Sequence, residues 1–174
     1  MRRMTIILVF FLLASVCAFA ADSELLQTSG QAAVGQKVPW FSGWTVDDQV
    51  FNLKKAWADP ATKRVALVFW ATTCAPCRVG MQRLCQAKAK LERAHVKVVL
   101  VNVGEPVGTV RRFLKTHPQK FTVVVDQYGH SKKAFLNNGD GPTPVPRTAI
   151  IGRGGKVIRI IGAEGSDYIN QIVK

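Results

Sequence analysis

The chain has 174 residues, 48% of them hydrophobic, enough to bury one substantial core and too few for two comfortable domains. Its 24 Lys and Arg against 11 Asp and Glu give a formal net charge of +13. The basic pairs Lys54-Lys55, Arg111-Arg112 and Lys132-Lys133 are dispersed and no aromatic residues interleave with them, so a nucleic-acid platform is excluded.

Residues 1–20 differ in kind from the rest. Arg2 and Arg3 precede an apolar stretch from Met4 to about Cys17, followed by Ala18-Phe19-Ala20. That is the charged, apolar and small-x-small pattern of a secretory signal, expected to be cleaved after Ala20. The stretch is nearly long enough to stay as an uncleaved membrane anchor. Lipidation at Cys17 ranks last, because Val16 before it is large for such a site. Cleavage removes two positive charges and no acid, leaving +11. Such a charge allows association with an anionic membrane surface, although scattered solubilising charge is the plainer reading.

Residues 21–34 are small and polar and read as a flexible leader, so the domain is expected over 35–174. Residues 35–51 carry Pro39, Trp40, Phe41 and Trp44 with a turn at Asp47-Asp48, a short hairpin capping the core. A brief helix over 53–57 is ended by Asp59-Pro60. Residues 64–70 are a strand, 75–94 a helix, and 96–103 a second strand apolar enough to be buried on both faces. A helix over 107–115, a strand over 121–125 and a short helix over 130–136 follow. Residues 137–144 are a loop rich in Gly, Asn and Pro. Strands over 148–151 and 156–161 join through Gly152-Arg153-Gly154-Gly155, and a helix over 166–173 takes Ser166 as its N-cap. The order β-α-β-α-β-α-β-β-α implies an α/β sandwich with helices on both sheet faces.

Chemistry concentrates at Cys74-Ala75-Pro76-Cys77, where the apolar strand gives way to a helix N-terminus. Unpaired N–H groups and the helix dipole favour a thiolate on the first cysteine there. Proline in the first turn loses no hydrogen bond and presets the backbone. Two intervening residues let the sulfurs meet, so the pair reads as a dithiol that opens and closes. Cys74, Cys77 and Cys85 are the cysteines left after residue 20, and an odd number in an exported chain argues against a disulfide framework. Cys85 reads as a buried free thiol.

Three passages resemble the thioredoxin superfamily, specifically its exported TlpA/ResA-like thiol-disulfide oxidoreductases: Phe69 to Arg78, Val101-Asn102-Val103-Gly104-Glu105, and Val145-Pro146-Arg147-Thr148 before a Gly-rich hairpin. The resemblance implies a thioredoxin-like fold, a central mixed sheet flanked by helices on both faces, with an extra strand–helix insertion and an N-terminal hairpin. It also implies that Pro146 is cis and faces the cysteines. Val145 would then pair with a client peptide, on a surface shared with Trp70, Ala75, Pro76 and Pro146. Cys74 attacks a disulfide, Cys77 resolves the mixed disulfide, and the oxidised pair is re-reduced by a membrane thiol electron donor. Ala75-Pro76 lacks the histidine found between the cysteines of strongly oxidising relatives, which favours a reductase.

Some family features are absent. Val68 stands where thioredoxins carry a buried Asp, and Gly80 where exported relatives often have Glu. Gln82 replaces a helix-kinking Pro, and Thr73 a Trp. Glu105 is left as the acid–base candidate, because it follows a buried strand that ends near the site. The expected function is extracytoplasmic, periplasmic reduction of protein disulfides, with clients such as apocytochrome c in cytochrome c maturation, and no metal or organic cofactor. The alternative is a copper carrier of the same fold, whose cysteines are normally spaced wider and joined by a His. His95, His117 and His130 have no ligand spacing. A peroxidase motif would need Pro at Leu67 and Thr or Ser at Ala71, and both positions fail.

Overall fold

The computed structural model describes residues 32–136, 145–162 and 164–174. The expected signal, most of the leader and the 137–144 loop lie outside them. No helix among the described residues is long and apolar enough to cross a membrane.

Seven strands form one mixed sheet: β1 (Ser42–Thr45), β2 (Val50–Asn52), β3 (Arg64–Trp70), β4 (Val96–Val103), β5 (Thr122–Asp126), β6 (Arg147–Gly152) and β7 (Val157–Ile161), in the order β2-β1-β5-β4-β3-β6-β7. β3, β4 and β5 run parallel, and the flanking pairs are antiparallel. β3 and β4 are central and covered on both faces, which is why each reads as an almost unbroken apolar run.

Alternation along β3 divides the core into two halves. Val65, Leu67 and Phe69 face α1 (Leu53–Ala58) and α5 (His130–Phe135), with Phe41, Phe51 and Val101 completing that half. Ala66, Val68 and Trp70 face α2 (Ala75–Gln86), α3 (Lys88–Arg93), α4 (Val107–Thr116) and α6 (Tyr168–Val173), through Leu84, Leu91, Val110 and Ile172. The expected α/β sandwich is the architecture found.

Three local expectations change. The Asp47-Asp48 hairpin covers the core through Phe51 and does more: β1 pairs with β5 (Trp44 opposite Val125) and extends the sheet. Phe41 and Phe51 turn inward, leaving Trp40 and Trp44 exposed. The expected 75–94 helix is two, because Ala87 leaves helical geometry (ψ 7°) and both caps α2 and opens α3. Leu84 before the break and Leu91 after it are each fully buried. Finally, α6 starts at Tyr168 behind Asp167, so Ser166 is not its cap. Asp126, at the end of β5, accepts hydrogen bonds from the first N–H groups of α5, His130 N at 2.9 Å and Ser131 N at 2.7 Å.

Candidate active site

The parallel strands β3 and β4 end on the same side of the sheet, and that rim carries the site. β3 ends at Trp70, and four residues later Cys74 becomes the N-cap of α2. Cys74 and Cys77 form a disulfide, with S–S 2.01 Å and Cα atoms 5.3 Å apart. Cys74 is half-buried, whereas Cys77 is 1% exposed, so an incoming sulfur meets Cys74 first. The Cys77 N–H donates to Cys74 Sγ at 3.2 Å. Ala75 and Pro76 are both exposed, and Pro76 occupies the first turn, where its missing N–H leaves nothing unpaired.

Glu105 fixes the loop that delivers Cys74. Gly104, at φ +77°, turns the chain after β4. The Glu105 carboxylate then accepts from Thr72 N (2.8 Å), Thr72 Oγ1 (2.5 Å) and Asn102 Nδ2 (2.6 Å). Asn102 is fully buried at the end of β4. These three bonds tie residue 72 to the central sheet, and they go to the loop rather than to either sulfur. Arg78 adds a tie from α2, donating to the Thr72 carbonyl at 3.1 Å.

The third wall comes from β6. The Val145–Pro146 peptide is cis. Arg147 pairs with Phe69, so the register carried one residue further sets Pro146 beside Trp70. Trp70 is fully buried and packs on Phe113, ring centroids 5.4 Å apart; it is a wall of the core rather than an open client surface. Val145 and Pro146 are partly exposed. The fold thus brings Cys74, Cys77, Trp70, Ala75, Pro76 and Pro146 to one rim, with Glu105 behind the loop.

A groove of about 510 Å³ runs from this rim along α2, bounded by Ala75, Arg78, Val79, Phe113, His117 and Gln119. Cys85 lines it, half-buried and free, its thiol donating to Gln119 Oε1 at 3.4 Å. It is a groove thiol and not the wholly buried one expected. A separate groove of about 350 Å³ lies by the hairpin, between Trp44, Val107 and Tyr128, and contains neither cysteine. His95, His117 and His130 are all exposed. Among the described residues no three His, Cys, Asp or Glu side chains gather as a metal-holding group.

One ionisable group beside α2 was not foreseen. Glu164, in the loop between β7 and α6, lays its carboxyl over Gly80. Burial pushes that carboxyl up to about 7, with Tyr168 and Arg83 offsetting part of the rise. The signal for it lay in the Gly80 departure: a helix-interior glycine invites the question of what fills its place.

The family described as AhpC/TSA matches residues 34–160. The thiol-disulfide oxidoreductase ResA of Bacillus cereus is 25% identical over 169 residues, spanning 97% of this chain and 92% of that protein. ResA of Bacillus subtilis is 31% identical over 120 residues, spanning 66% and 64%. Among solved structures, a putative thiol:disulfide interchange protein DsbE from Chlorobium tepidum superposes with a TM-score of 0.67 at 26% identity, covering 83% of this chain and all of that one.

Proposed function

Because the chain belongs to the AhpC/TSA family and is a protein thiol-disulfide oxidoreductase of the kind its relatives are named for, we propose that it works as a reductant of protein disulfides outside the cytoplasm. The observation that carries this direction is the sparse stabilisation of Cys74 Sγ. It accepts the Cys77 N–H, neither residue between the cysteines is a histidine, and the nearby Arg78 guanidinium donates to a carbonyl. A pair becomes a strong oxidant when its reduced form is stabilised, and among the described residues little would hold a thiolate so firmly.

In the proposed cycle, Cys74 thiolate attacks one sulfur of a client disulfide and expels the other as thiolate. Cys77, having lost its proton, attacks Cys74 Sγ. The Cys74–client bond breaks, the client leaves with both sulfurs reduced, and the Cys74–Cys77 bond forms. A membrane dithiol donor then returns two electrons to the pair, which is itself the redox group, without metal or organic cofactor. Clients would lie as an extended strand along Val145 beside the exposed Ala75-Pro76. Export rests on the Arg2-Arg3, apolar and Ala18-Phe19-Ala20 pattern, with a cleaved signal or a retained anchor both serving. Apocytochrome c cysteines are a fitting client class, since haem attachment needs reduced thiols.

The test is the reduction potential of the Cys74–Cys77 couple, equilibrated against graded thiol buffers in a Cys85→Ala background. A value near or below about −250 mV supports the reductant, and one near about −120 mV reverses the direction. No reversible couple would promote the copper-carrier reading.

A further inference from the structure

A carboxyl group shielded from solvent sits one helical turn from the buried cysteine. Both Glu164 oxygens are shielded from solvent and lack a hydrogen-bond partner of normal geometry. A Cβ built on Gly80 would fall 1.3 Å from Oε2 and 2.0 Å from Cδ. The carboxyl therefore occupies the space that a side chain at position 80 would fill. Gly80 is buried inside α2, where glycine is a poor helix former, and the space it opens is the one Glu164 enters.

Position 80 lies three residues after Cys77. Helix neighbours at that spacing have Cβ atoms about 5–6 Å apart, so the carboxyl is within reach of the Cys77 thiol directly or through one water. The approach is anchored. Arg83, a turn further along α2, donates through its guanidinium to the carbonyls of both Glu164 and Gly165, clamping the loop onto the helix. On the far side, the Tyr168 hydroxyl of α6 is engaged with Thr148 Oγ1 at 2.9 Å. Arg83, Tyr168 and Cys77 are thus titratable or charged groups that α2 and α6 turn toward Glu164, and β6 brings the neutral Thr148 through its bond to Tyr168.

We propose that Glu164 is the proton-exchange partner of the resolving cysteine, accepting the Cys77 thiol proton as Cys77 attacks the mixed disulfide and returning it when the pair is reduced again. This rests on the dithiol cycle above. Cys77–SH and the Glu164 carboxylate become thiolate and carboxylic acid. The thiolate displaces the client thiolate from Cys74, and on re-reduction by the external dithiol the proton goes back to Cys77. No electrons pass through Glu164. A carboxyl that titrates near 7 is matched to exchange at neutral pH, and the Tyr168 hydroxyl beside it leaves lone pairs for the thiol proton. Glu105, by contrast, has its lone pairs committed to the Thr72 loop.

The two steps separate with a chromogenic thiol. Thionitrobenzoate is loaded on Cys74 of the reduced protein from the symmetric aryl disulfide, in a Cys85→Ala background, and its second release reports attack by Cys77. Wild type should resolve faster as pH rises through about 7. Glu164→Gln should keep the first release unchanged, slow the second by tenfold or more at pH 7, and lose the inflection near 7. General acid–base groups contribute about 10²–10⁴-fold. Gly80→Glu combined with Glu164→Gly returns a carboxyl to the same space from the helix and should restore both rate and inflection. A Glu164→Gln protein that resolves at the wild-type rate with the wild-type pH profile overturns the proposal, as does a failed rescue in a folded double variant. If wild type never forms and resolves the mixed disulfide, the dithiol cycle itself fails, which is a different result.

Discussion

Glu164→Gln should make the protein more stable at pH 8 and leave it unchanged at pH 4. The folded carboxyl titrates at about 7 against an ordinary 4.5, chiefly because burial penalises its charge. Since the folded protein holds the proton to higher pH than the unfolded chain, stability falls as pH rises from 4.5 to about 7, then levels off. A displacement from 4.5 to about 7, at about 1.4 kcal/mol per pH unit, gives about 3 kcal/mol. The carboxyl oxygens are shielded but the residue as a whole is only half-buried, which reduces the figure to roughly 2 kcal/mol. Glutamine is close in shape and always neutral, so it never incurs this cost. Urea unfolding of the oxidised protein at pH 4 and pH 8 reads the effect directly. With a slope of about 2 kcal/mol per M, the variant's midpoint should exceed wild type by about 1 M at pH 8 and coincide with it at pH 4. A gap independent of pH, or a wild type that gains stability relative to the variant as pH rises, would refute the burial argument. Paired with the slower resolution expected above, the variant would be stabler and less active, the usual trade at a strained site.

Two further outcomes follow from the same rim. Cys77→Ser should leave Cys74 able to attack but unable to be released, so a covalent client–protein adduct should accumulate, dissolve on adding excess thiol, and be visible by intact mass. Glu105→Gln removes the charge behind its three contacts, from Thr72 N, Thr72 Oγ1 and Asn102 Nδ2, and its NH₂ can face only Thr72 Oγ1, whose hydroxyl must then turn to accept. Losing a charge-assisted bond of this kind costs about 1.5–3 kcal/mol, measured as a lowered urea midpoint, and unchanged stability would show that the loop is held by other means.

Much of the architecture was legible because it is written in local patterns. β3 and β4 are apolar runs whose burial on both faces follows from their lack of alternation, and the C-x-x-C placement followed from the strand ending at Trp70. The misread parts depend on distant partners. Nothing near Ser42–Asn52 shows that β1 will pair with β5 some eighty residues later, so the hairpin read as a cap alone. Ala87 is an excellent helix former, and its break comes from packing Leu84 and Leu91 against one sheet. Glu164 was invisible for the same reason. Its neighbour Gly80 was noted only as a missing carboxylate, and the group that fills its place arrives from a loop 84 residues further along the chain.

The residues before β1 have a bearing on the order of assembly. Ala32 N–H donates to the Ala134 carbonyl at 2.7 Å, Gly35 N–H to Val157 at 2.8 Å and Val38 N–H to Gly155 at 2.7 Å, while Val157 N–H returns a bond to Gln36 at 2.9 Å. The earliest described residues are therefore stitched to α5 and to the last strand. A ribosome or translocon delivers the strap first and its anchors last, so these bonds cannot close until almost the whole domain has emerged. Residues 32–38 stay unpaired through that interval and dock against α5 and the β6–β7 hairpin only late. By then the folded sheet holds the anchors and the start of β1 together, so closure orders only a short strap, which until that moment is open to a protease or chaperone.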